Sequence, residues 1–85
     1  MSEIEVGRVE DYFAHIGVVA IEVTAEGIKV GDTLHFKGHT TDFTEAVTSM
    51  EIEKQPVEQA QAGDLVGVKV KKKVREKDKV YRVVD

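Results

Sequence analysis

The sequence predicts an all-β domain, a small closed antiparallel β-barrel of about six strands. β-branched residues run in short stretches with a two-residue apolar period, glycine-bearing turns separate those stretches, and no segment sustains apolar residues at helical spacing. Barrel closure follows because many short strands without intervening helices must bury one face and protect their edges. The 85 residues make one domain, 1–85, since a chain of this length supports a single core. Hydrophobic residues are 41% and charged residues 33%, a globular balance rather than a disordered or membrane one. Without cysteine there is no disulfide framework or thiolate metal site, so packing alone must stabilise the fold.

Taken in order, Ile16 to Thr24 is rich in β-branched residues and apolar in both phases, as expected of a strand buried on two sides. Ala25-Glu26-Gly27 is a tight reversal in which Gly27 can take positive φ. Val30-Gly31-Asp32-Thr33-Leu34 and Ala62-Gly63-Asp64-Leu65-Val66 repeat one device: glycine makes the bend and the aspartate carboxylate accepts a backbone N–H. Leu34 and Phe36 alternate with Thr33, His35 and Lys37, giving a strand with one wet face. In Thr41 to Glu53 the alternation fails, because Phe43 and Val47 share one phase and Met50 and Ile52 the other. A bulge or bend between Val47 and Met50 restores it. Gln55 to Gln61, with Pro56 as a first helical residue, is the one segment with room for a helical turn. Val66, Val68 and Val70 alternate with Gly67, Lys69 and Lys71, and Val80 to Val84 forms the last strand. Gly17, Gly31, Gly63 and Gly67 are explained by turns and tight corners.

Charge is unevenly placed: residues 1–68 carry 4 Lys or Arg against 13 Asp or Glu, and residues 69–85 carry 8 against 3. The amino terminus, Met1-Ser2-Glu3-Ile4-Glu5, is acidic where a secretory signal is basic, and no stretch approaches the roughly 20 apolar residues of a membrane span. A cytoplasmic protein without membrane contact is expected. The phosphate-loop pattern GxxxxGK[ST] is absent, so no nucleotide is expected to bind. His35 and His39 on a strand lie about 13 Å apart, too far for a zinc pair, and His15 has no serine or carboxylate pattern near it. No catalytic residue, metal or cofactor is assigned, and an enzyme is not expected.

Gly17-Val18-Val19-Ala20 through Ile28-Lys29-Val30-Gly31-Asp32, and again Gln61-Ala62-Gly63-Asp64-Leu65-Val66-Gly67-Val68, resemble the second domain of translational GTPases such as elongation factor Tu. The resemblance spans about residues 6 to 84, and it extends to a similar module that ends certain collagenase-like peptidases. It implies a translation-factor β-barrel and a role beside tRNA or ribosomal RNA. Carried over from that family, Glu51 matches a glutamate that lies against the terminal adenosine, and Lys54 falls where the family has an arginine. Phe13 and Ile21 fall at two further pocket positions, Ile21 in place of a hydroxyl residue.

Together these features lead to the expectation of a binding module that docks on RNA or a ribonucleoprotein, with Lys69, Lys71, Lys73 and Arg75 as a basic contact strand. The alternative is a protein-interaction module that packs against a separately encoded enzyme or GTPase, as the acidic segment suits a basic protein partner.

Overall fold

The two-residue period of valine, isoleucine, leucine and phenylalanine settles the secondary structure, because each such run presents one apolar face and has no partner except another strand. A computed structural model describes residues 2–84. The strands are β1 (Ser2–Phe13), β2 (Val18–Val23), β3 (Ile28–Lys29), β4 (Thr33–Lys37), β5 (Asp42–Ala46), β6 (Met50–Ile52), β7 (Gln55–Val57), β8 (Gln59–Ala60), β9 (Leu65–Lys69) and β10 (Lys79–Val84). All pairings are antiparallel. Eight strands form one sheet in the order β5-β4-β10-β1-β2-β9-β6-β7, and β3 pairs with β8 in a small second sheet. Among the described residues there is no helix, and therefore none that could cross a membrane.

The expected closed, six-stranded barrel is corrected in two respects. The main sheet has eight strands, and among the described residues its ends, β5 and β7, do not pair. The opening is bridged by loop backbone instead: Val30 N–H donates to Glu58 O at 2.9 Å, Gly31 N–H to Val47 O at 2.9 Å, and Val47 N–H to Asp32 O at 2.8 Å. One open edge carries Pro56 opposite Glu51, and a proline cannot donate to an added strand. At the other, the Lys71 N–H donates to a Glu45 carboxylate oxygen at 2.9 Å and the Lys72 ammonium lies 5.9 Å from the Phe43 ring centroid.

The expected bend between Val47 and Met50 is present, and it is larger than a bulge. The chain leaves β5 after Ala46 and re-enters the sheet as β6 between β7 and β9, with Val47 and Met50 both buried. Strand β2 differs from its expected two-sided burial: Val19, Ile21 and Val23 are buried, whereas Val18, Ala20 and Glu22 are only half-buried on an uncovered face. Gln55 to Gln61 forms β7 and β8 rather than a helical turn, because a two-residue reversal at Glu53-Lys54 returns the chain directly along β6.

Of the expected basic strand Lys69–Arg75, only Lys69 lies in a strand. The ladder stops at Lys69 because continuing the phase of Val66, Val68 and Val70 would turn Lys72 into the core. Residues 70–78 instead form a loop that buries Val70 and Val74 and leaves the lysines outside.

The glycine-aspartate turn occurs at both expected places and once more in disguise. The Asp32, Asp64 and Asp78 carboxylates accept the N–H groups of Lys29, Gln61 and Arg75 at 2.9, 2.8 and 2.9 Å. The preceding residues Gly31, Gly63 and Lys77 have φ of 101°, 98° and 74°. Lysine in the left-handed region costs about 1–2 kcal/mol, and a glycine there returns about 0.4–1 kcal/mol of that through unfolded-chain entropy. Lys77→Gly is therefore expected to gain about 0.5–1 kcal/mol, raising the melting midpoint by about 2–8 °C. An unchanged or lower midpoint in a thermal melt would contradict this account of the turn.

Candidate functional site

The cross-strand pair Glu51–Gly67 sets an outer face of the sheet. A Cβ at Gly67 would lie 3.2 Å from Glu51 Cγ and 3.4 Å from Val18 Cγ1, so the missing side chain lets both neighbours lean over the backbone. The result is a groove of about 320 Å³ with Val18, Met50 and Pro56 as apolar walls and Glu51, Lys54 and Lys69 as charged groups. Lys54 reaches it from the β6–β7 reversal, where Glu53 and Lys54 have φ of 50° and 67°. Two successive positive φ values are what a two-residue hairpin requires, and asparagine or glycine usually supplies them. Among the described residues neither Lys54 nor Lys69 forms an ion pair.

The candidate residues from the sequence are thus partly united. Glu51, Lys54 and Lys69 share the groove. Phe13 stands beside it, opposite Val18 in the β1–β2 register, and is 40% exposed. Ile21 is fully buried and points into the core, so no ligand can reach it as a pocket residue. Lys71, Lys73 and Arg75 are exposed on the 70–78 loop rather than in a contact strand.

One arrangement had no signal in the sequence. His35 Nδ1 lies 2.8 Å from Glu3 Oε2 and His35 Nε2 lies 2.6 Å from Asp42 Oδ1, so one ring links β4 to β1 and to the edge strand β5. Glu3 is 32 residues away in sequence, a separation that no local pattern can register. With a carboxylate on each nitrogen, the imidazolium donates twice. The hydrogen bond to Asp42, followed by that to Glu3, raises the histidine pKa above 6.5 against an opposing effect of burial. The His35 bond, then the charge of Lys37, holds Asp42 below 3.8. No group of three or more His, Cys, Asp or Glu among the described residues is arranged to hold a metal ion.

These shifts give a pH dependence of defined sign. The raised His35 pKa contributes stability that is fully present below 6.5 and is lost as pH rises through the higher folded value. The lowered Asp42 pKa contributes stability present above 3.8 and lost as pH falls through the lower folded value. The stability difference between wild type and His35→Gln, from urea unfolding across pH, is expected to be greatest between about 4 and 6.5 and to shrink toward pH 9. A difference that grows with pH would reverse the assignment.

Fold and surface together define a class: a small all-β module with a curled antiparallel sheet and one uncovered, mixed-charge face. More particularly, the chain is similar to a segment of proteins named as protease or collagenase. It is 42% identical over 80 residues to the uncharacterized protease MJ0090 of Methanocaldococcus jannaschii, covering 93% of this chain and 19% of that protein. A collagenase of Porphyromonas gingivalis is 36% identical over 81 residues, covering 94% and 20%. The chain thus spans about one fifth of the length of these curated relatives. No protein-family model matches it. Its fold is that of the crystallised C-terminal domain of a protein described as a U32 peptidase from Geobacillus thermoleovorans, with a TM-score of 0.88 at 19% identity over 95% of this chain and 93% of that one. The selenomethionine variant of that domain superposes with a TM-score of 0.83 at 20% identity, over 89% and 95%.

These relatives correct two expectations. The assignment to translation and RNA binding is overturned, since the proteins matched carry protease and collagenase names, and of the resemblances only that to collagenase-like peptidases is supported. The expectation that the chain is no enzyme is overturned by the same names, with the chain corresponding to a fifth of each protein.

Proposed function

We propose that the chain is a docking module of a collagenase-like protease, packing against the part of such a protein that lies outside the matched segment, whether joined to it or separate. The observation that supports this best is the match itself: 42% identity over 93% of this chain against only 19% of a protein named as a protease. A domain that recurs as one fifth of longer chains meets the remainder across an interface, typically of about 600–1,500 Å². The uncovered outer face around Val18, Gly67 and Glu51, at the β1–β2 hairpin end of the sheet and away from Leu65 at the other end of β9, supplies the area for it.

Affinity purification of the tagged chain from its native cells, with and without nuclease, tests the proposal. The expected result is a collagenase-like protease in near-equal amount, or as part of the same polypeptide, and unaffected by nuclease. Recovery of ribosomal proteins and RNA without a protease would overturn it.

A further inference from the structure

Most large apolar side chains of this domain are spent on its core, and the exceptions are few. Among the described residues the exposed large hydrophobics are Phe13, Ile16 and Leu65, at 40%, 54% and 53%. Two of these sit together at the end of the β1–β2 hairpin, with Val18 beside Phe13 in register. The hairpin end is also well fixed. Ile16 N–H and Gly17 N–H donate to Phe13 O at 3.1 and 2.9 Å, and Val70 N–H donates to Gly17 O at 2.9 Å, tying the turn to the loop after β9. An apolar group held rigid before binding loses little freedom on association, which is what makes an anchor effective.

The surroundings indicate the partner. Asp11 lies on the same outward face as Phe13, and Glu51 lies across the groove with the unpaired Lys54 and Lys69. Two carboxylates interleaved with two ammonium groups give this surface no single-sign field to hold a polyanion or an anionic lipid headgroup, whereas a folded protein surface can present an apolar pocket with basic and acidic groups in complementary places. We infer that Phe13 and Ile16, backed by Val18, are the anchor by which the module docks onto the protease portion, with Asp11 and the Lys54–Lys69 pair orienting it. The inference rests on the proposed function above and names the surface that function uses.

A benzoylphenylalanine photoprobe placed at position 16, with position 65 as the comparison, tests it in the native cell. Irradiation is expected to join position 16 to a collagenase-like protease portion, in another chain or elsewhere in the same one, and position 65 not. The double variant Phe13→Asp, Ile16→Asp should retain at least about tenfold less of that protein, whereas Leu65→Asp, equally exposed, should retain it fully. A thermal melt of each variant establishes that it folds, and the photoprobe result stands without the acidic variants. Adducts from position 65 and not from 16, with the protease still captured, would overturn the surface and leave the docking function standing. Absence of any protease with either probe and in the purification would overturn the docking function and the surface with it.

Discussion

Truncation of Phe36 to alanine is expected to cost about 3–5 kcal/mol, a large share of the roughly 4–13 kcal/mol available to a domain of this size. Phe36 is fully buried, faces Val80 of β10 and Phe43 of β5 in register, and stacks on the Phe43 ring at 5.2 Å. Its loss opens a cavity where the edge strand meets the rest of the sheet. Urea unfolding should place much of the variant's population near or past its midpoint at low denaturant. Phe13→Ala is the internal comparison: the same truncation on an exposed ring should change stability by less than about 0.5 kcal/mol. Equal costs for the two would contradict the assignment of one phenylalanine to the core and the other to the docking surface.

That contrast also shows where sequence reasoning succeeds and where it stops. Leu34, Phe36, Val66, Val68 and Val80 lie on regular two-residue alternations, and each is buried as its phase requires. The longest strand, β1, carries no readable two-residue period, for a physical reason. Its register slips against β10 between Glu5 and Gly7 and against β2 between Val9 and Asp11. Each slip shifts the apolar phase, so Ile4 and Val6, then Val9, then Tyr12 face the interior in a series that no fixed period describes. Short strands and glycine turns specify curvature but not closure, because pairing of the last two edges depends on Pro56 and on the backbone bonds of residues 30–32. The candidate site divides along the same line. Glu51 and Lys69 alternate with buried neighbours and share the groove, whereas Ile21 has the opposite phase to Val18 within β2 and cannot join them.

Glycine gives the sharpest case, and the second large effect. Gly7→Ala is expected to destabilise the domain by about 3 kcal/mol, lowering the melting midpoint by about 12–24 °C. A Cβ at Gly7 would lie 2.5 Å from Glu22 O and 2.8 Å from Ile21 Cγ2, so the backbone of β2 itself must move. That strand is held on its other side by β9 and cannot yield without disturbing a second ladder. Gly31 offers the opposite situation: its φ is 101°, yet nothing lies within 4 Å of a Cβ placed there. Gly31→Ala should therefore cost only the left-handed strain of about 1–2 kcal/mol, less the roughly 0.4–1 kcal/mol that losing a glycine regains from the unfolded chain. Turn glycines such as Gly31 announce themselves through the aspartate that follows. Gly7 has no such neighbour, because what it accommodates is a strand 15 residues farther along the chain. Calorimetry on the two variants separates close approach from backbone strain. If Gly7→Ala melted no lower than Gly31→Ala, the tight β1–β2 contact would not be the reason for the glycine.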